Sequence, residues 1–133
     1  TWRSVETGRQ ISGVMDSEAR DAGHKVCRSL GAFMEKYDLV LSPTMALVPP
    51  RLGAMSLRQD YDVFLPVASA ASAFTGLYHV TGQPAMSVPL HWTDAGIPIG
   101  VMFTGRFGDE ATLYRLAAQL EQQAPWFDIL PPI

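Results

Sequence analysis

Two short apolar runs, at 84–90 and 97–103, flank the polar turn Thr93-Asp94-Ala95-Gly96, and together they constrain the fold more than any other feature of the chain. Neither run alternates polar with apolar residues as a half-solvated strand does, and each has the length of a strand covered on both faces. Asp94 and Gly96 suit the polar and positive-φ positions of a tight connection, so a hairpin is expected over about 84–104. A hairpin this apolar has to be covered by other elements, and the rest of the sequence is read for that cover.

Upstream, Ile11, Met15, Ala19, Ala22, Val26, Leu30, Phe33 and Tyr37 recur in steps of three and four. The spacing predicts one long amphipathic helix over about 12–37, with Ser12 or Asp16 as N-cap. Gly23 and Gly31 inside it each weaken a helix by about 1 kcal/mol relative to Ala, so close packing or tertiary support has to compensate. Residues 38–42, Asp-Leu-Val-Leu-Ser, read as a short strand stopped by Pro43. An apolar, proline-rich loop follows over 43–60, then an Ala/Ser-rich helix over about 64–76 with Pro66 in its first turn. After the hairpin, Leu113, Leu116, Ala117 and Leu120 mark one face of a helix over about 109–123, with Asp109 as N-cap and Pro125 at the far end. A helix leading into a short buried strand, followed by further strands and helices, is an α/β pattern.

The 133 residues fit one domain, yet 47% are apolar and only 17% charged, which demands more burial than about three strands and three helices supply. The chain opens Thr1-Trp2-Arg3, with neither an initiator Met nor a signal-peptide pattern. Both observations fit a piece of a longer chain. A net charge of −3 without a basic stripe argues against a nucleic-acid partner, and no run approaches the roughly 20 apolar residues of a membrane helix. One cysteine, Cys27, and no Asn at all agree with a reducing, cytoplasmic setting.

Catalytic patterns are sparse. There is no G-x-S-x-G elbow, no G-x-G-x-x-G and no P-loop, so neither a serine elbow nor a phosphate or dinucleotide cofactor site is expected. His24, His79 and His91 are too far apart for a paired metal-ligand motif, and no metal site is expected. His79 lies at the junction between the small-residue helix and the Gly82-Gln83-Pro84 turn, where connecting segments commonly present groups to ligands. Ser87, inside a strand run, reads as structural or sheet-lining, and Ser42, at a strand end before Pro43, is better placed for a pocket but has no partner that spacing can name.

The stretch F-T-G-L-Y-H-V-T-G-Q-P-A-M-S-V-P-L at 74–90, the turn, and then G-I-P-I-G-V-M-F-T-G-R-F-G-D-E-A-T-L at 96–113 resemble the carboxy-terminal portion of the amidase signature family. The upstream Y-D-L-V-L-S-P-T at 37–44 is similar to the helix-to-strand passage of that family, which ends in a Pro-Thr step. The resemblance implies part of an α/β/α fold around a mixed central sheet. It also implies hydrolysis of a carboxamide by a Ser–cis-Ser–Lys triad carried in an amino-terminal portion outside this chain. No catalytic residue is therefore assigned here, and the substrate-binding candidates are Thr44 of the Pro-Thr step, Ser72, and Thr75 and His79 in the segment 75–79. The family usually has Asn where this chain has His79, and amidotransferase subunits tend to have Asp where it has Ser72. Without that acid a glutaminase role is disfavoured, and a fairly apolar amide, or a cyclic or linear amide oligomer, fits better.

The expected partners are a small amide substrate, the amino-terminal portion of the same protein, and a second copy through oligomerisation or element swapping. The alternative from a different class is a non-catalytic α/β association module with a large apolar interface.

Overall fold

Residues 2–130 are described by a computed structural model. They form helices α1 (Trp2–Gly8), α2 (Gly13–Met34), α3 (Tyr61–Ala71), α4 (Gly76–Thr81) and α5 (Glu110–Gln123), and strands β1 (Leu39–Pro43), β2 (Ala85–Trp92) and β3 (Pro98–Gly105). The described strands make one sheet in the order β1-β3-β2, antiparallel throughout.

The hairpin forms because its turn satisfies itself. Thr93 N–H donates to the Ile97 carbonyl at 2.9 Å, Ile97 N–H returns to the Thr93 hydroxyl at 3.1 Å, and Gly96 takes φ +75°, a conformation that costs a residue with a Cβ. The register slips between Pro89 and His91, so Leu90 is the extra residue of a bulge in β2. β1 ends at Pro43, one residue beyond the expected 42. Pro43 stands opposite Val101, and Thr44 N–H carries the ladder one step further by donating to the Gly100 carbonyl at 3.0 Å. Pro43 and Pro89 are tolerated because both stand on strands that flank β3, where the missing donor can face away from the ladder.

Residues paired across an antiparallel sheet share a face. One face carries Leu39, Met86, Val88, Val101 and Phe103, and α5 packs on it through Leu113, Leu116 and Leu120, with Trp126 beside them. The opposite face carries Val40, Ser42, Ala85, Ser87, Gly100, Met102 and Thr104. The chain covers this second face only in part, as the shortage of covering elements in the sequence leads one to expect: Ala85 and Ser87 are exposed, while Met102 and Thr104 are buried. Small and hydroxyl side chains make that face less costly to leave bare than its apolar counterpart.

Helix α2 starts where Ser12 caps it, the hydroxyl accepting from Met15 N–H at 3.2 Å. It ends at Met34 rather than Tyr37, because Arg106 reaches in from beyond β3. Its Nε donates to the Met34 carbonyl at 3.0 Å and its Nη2 to Asp38 at 2.9 Å, while Lys36 and Tyr37 N–H close tightened turns on Phe33 and Met34. The buried stripe of α2 is not the expected one. Gly23, Cys27 and Leu30 are half-buried and Met34 is buried, whereas Ile11, Met15, Val26, Phe33 and Tyr37 remain exposed. The docked stripe lies roughly a quarter-turn around the helix from the more apolar one. Gly23 allows the approach, since a Cβ there would sit 3.4 Å from Val80 Cγ1, and the Cys27 thiol contacts the Val80 carbonyl at 3.7 Å.

The single helix expected over about 64–76 is two. Helix α3 begins at Tyr61, so Pro66 lies in its interior and cannot donate to the carbonyl four residues back. The chain breaks at Ser72, whose hydroxyl donates to the Ala68 carbonyl at 2.9 Å, and α4 then runs to Gly82, left-handed at φ +74°. Helix α1, which no sequence period announces, carries Arg3, whose exposed guanidinium pairs with Asp62 of α3 at 2.7 Å.

Asp109 caps α5, accepting from Thr112 Oγ1 at 2.7 Å and from Thr112 N–H at 3.3 Å. The Thr112 hydroxyl holds this carboxyl below its ordinary 3.8; partial desolvation opposes that shift, while the Thr112 amide, Arg115 and Arg106 add to it. A carboxylate with a depressed folded pKa contributes stability that is complete above the unfolded value and is lost as pH falls through the lowered one. The first turn of α5 should therefore lose amide protection only in acid below 3.8, and Asp109→Asn should remove that pH dependence. A carboxyl titration by NMR with its midpoint at or above 3.8 would contradict this assignment.

Candidate functional site

Two clefts open on the hydroxyl-bearing face of the sheet. The first, of about 200 Å³, lies between α4 and the start of the hairpin and is lined by Thr75, Tyr78, His79, Gln83, Ala85 and Met102. Thr75 precedes α4 and His79 follows one turn later, so both project toward the same side of this short helix. Gln83 is buried and its Oε1 lies against the Thr81 hydroxyl, which also faces the Leu77 carbonyl. That contact fixes the side-chain amide at the cleft wall.

The second cleft, of about 300 Å³, lies at the other end of the same face, where the chain leaves β1. The Thr44 and Ser87 hydroxyls meet there at 2.5 Å, above Gly100 and beside Met45, Leu47 and Pro98. Ser87 pairs with Met102 in the sheet register, so the two clefts are neighbours along β2 and β3. His79 is the only ionisable side chain apart from the Tyr78 phenol in either lining. In the second cleft, an unpaired charge on a ligand would meet no compensating side chain among the described residues.

Among the four sequence candidates, the structure brings Thr75 and His79 into one cleft and Thr44 into the next. Ser72 lines neither; its hydroxyl is engaged by Ala68. Tyr78 falls within the expected segment 75–79, whereas Ser87, Gln83 and Gly100 were not expected as cleft residues. The signal available was the period-two spacing of Ser42 with Thr44 and of Ala85 with Ser87, which puts small and hydroxyl groups on one side of each strand.

Two more hydroxyls on this face, Ser42 Oγ and Thr104 Oγ1, are buried without a hydrogen-bond partner among the described residues, and Thr104 is only 1% exposed. An unsatisfied buried hydroxyl costs about 1–3 kcal/mol, while an apolar group of the same shape does not carry that penalty. Thr104→Val should accordingly raise stability by about 1 kcal/mol, read from the midpoint of urea unfolding. An unchanged or lowered midpoint would mean that this hydroxyl has a partner.

A small antiparallel sheet, with α5 on one face and two clefts on the other, defines an α/β protein. The family model for amidases matches residues 3–114, and the chain belongs to the amidase signature family. A protein of Mycobacterium leprae carrying the amidase name AmiC is 42% identical over 99 residues, covering 74% of this chain and 21% of that protein. The 6-aminohexanoate-cyclic-dimer hydrolase of Paenarthrobacter ureafaciens is 30% identical over 133 residues, covering 95% of this chain and 27% of that protein. The solved structure of a 6-aminohexanoate cyclic dimer hydrolase complexed with substrate superposes with a TM-score of 0.84 at 30% identity, over 94% of this chain and 27% of that one. The chain thus spans about a quarter of the length of the relatives it matches.

Proposed function

We propose that this chain is one portion of an amidase that hydrolyses the C–N bond of an uncharged carboxamide, giving a carboxylate and an amine or ammonia. The observation that carries the reading is the amidase family match over residues 3–114. The activity named for the Paenarthrobacter ureafaciens relative, hydrolysis of a 6-aminohexanoate cyclic dimer, supports an amide as the substrate class.

The triad is assigned outside this chain. Its two lysines, Lys25 and Lys36, are exposed and line neither cleft, so neither is placed to act as the base. In the full enzyme an activated serine attacks the amide carbonyl, the leaving nitrogen takes a proton, and water then releases the acyl group as the acid. This portion supplies a wall of the substrate pocket. His79 offers a hydrogen bond from α4, Thr75, whose hydroxyl donates to the Ser72 carbonyl at 3.1 Å, can accept one just ahead of that helix, and Thr44 offers one from the end of β1. Ser72 braces the break between α3 and α4 that sets the position of Thr75. The exposed apolar stripe of α2 supports a further portion of the protein packing there.

The test is co-expression with the amino-terminal portion, with ammonia release from hexanamide as the readout and a fluorophosphonate as a label for activated serine. The 133 residues alone should neither turn over hexanamide nor take the label, and the pair should do both. Turnover by the isolated chain, or an inert pair, would overturn the proposal.

A further inference from the structure

We infer that the Thr44–Ser87 hydroxyl pair and the loop after β1 form a subsite for the amide group of a neutral ligand with a short apolar chain. The inference rests on the amidase reading for its choice of ligand, while its geometry stands on the sheet alone. The pair exists because position 100 has no side chain. A Cβ there would lie 2.8 Å from Thr44 Oγ1 and 2.9 Å from Ser87 Oγ, closer than real contacts allow, so glycine leaves the space in which the two hydroxyls meet. The Thr44 backbone is held in place independently, by its N–H on the Gly100 carbonyl.

Two hydroxyls that share one hydrogen bond still hold a second proton and free lone pairs. Either oxygen can be the donor in the pair, so the unused proton can sit on Thr44 or on Ser87. Such a pair can donate to an amide carbonyl and accept from an amide N–H at the same time. The remaining wall is apolar, with Met45, Leu47, Val48 and Pro98, and among the described residues no ionisable side chain lines the cleft. At about 300 Å³ the cleft is of the order of the smallest ligand pockets, enough for a short chain. A carboxylate or an ammonium of the same length would enter with its charge uncompensated.

The experiment is an NMR titration of the 133-residue chain with hexanamide, with hexanoate and hexylammonium as controls. Hexanamide should shift the Gly100 amide and the Thr44 methyl saturably, and the two charged probes should not. The double variant Thr44→Val, Ser87→Ala should bind hexanamide about tenfold more weakly, while Thr44→Ser, which keeps the pair, should bind it nearly as well as the parent chain. The inference is overturned if hexanoate or hexylammonium shifts Gly100 as strongly, if hexanamide gives no saturable shift there, or if the double variant binds unchanged. The probe comparison needs no substitution, so it stands even if the double variant fails to fold. Binding is read without turnover. Hexanamide bound at Gly100 by a chain whose co-expressed pair is inert would sink the amidase reading and leave the subsite; turnover by the pair without any Gly100 shift would do the reverse.

Discussion

Replacing Phe103 with alanine is expected to remove about 3–5 kcal/mol of stability, the range for truncating a buried aromatic ring. Phe103 is 8% exposed and clusters with Val88 from β2 and Leu113 from α5, with Leu39, Met86, Val101 and Leu116 packed against them. This cluster lies on one face of a three-stranded sheet, and among the described residues only α5 and Trp126 pack over it, so little can close over the lost ring. Small domains are stable by only about 5–15 kcal/mol, and this single change consumes a large part of that margin. Urea unfolding followed by circular dichroism should show the midpoint collapse for Phe103→Ala. Phe103→Leu, which keeps most of the volume, should lose under about 1.5 kcal/mol. A loss below about 1 kcal/mol for Phe103→Ala would mean that the sheet and α5 are not held together by this cluster.

The elements legible in the sequence were those whose signals are local. Ser12 ahead of a helical period, Asp109 ahead of another, and a Thr-Asp-Ala-Gly turn between apolar runs each satisfy backbone groups within a few residues. The α/β class of the amidase signature family follows from their order. What the sequence hid depends on tertiary contacts. Helix α2 has two candidate faces, and the more apolar one is exposed because Val80 needs the small residue Gly23 and the Arg106 side chain pins Met34. Pro43 does mark the end of β1, but it stands inside the strand rather than after it, because a proline is compatible with a strand that flanks rather than centres a sheet, and that position is known only once the strand order is known.

The candidate site divides in the same way. His79 was legible because it stands between a run of small residues and a Gly-Gln-Pro turn, and the fold places it with Thr75 in one cleft. Ser87 was not, because a serine inside an apolar strand run reads as filler. Its meaning comes from register: β3 sets Gly100 beside both Ser87 and Thr44, residues 43 apart in sequence. The bulge at Leu90 adds to this, since it keeps Leu90 with the core while the strand continues on to His91 and Trp92. The period-two spacing of Ala85 and Ser87 marks a face of small groups, but nothing in the β2 sequence shows which residues of β1 and β3 meet it.

Met34→Ala is the second substitution expected to cost several kcal/mol, about 2–5, and its effect should fall on α2 rather than on the sheet. Met34 is 2% exposed, the only fully buried residue of a 22-residue helix, and it ends that helix where Arg106 takes up its carbonyl. The side chain and the carbonyl are thus two ties of one residue, the first apolar and the second charge-assisted. Truncation removes the first and leaves the second, so α2 should remain helical while losing its grip on the rest of the fold. Amide exchange should then rise along 13–34 and in α4, which α2 packs against, while β2, β3 and α5 keep their protection. Arg106→Lys, which retains charge but loses the fork that spans Met34 and Asp38, should raise exchange at the end of α2 in the same direction by a smaller amount. Uniform loss of protection across the whole chain after Met34→Ala would show instead that α2 and the sheet unfold as one unit.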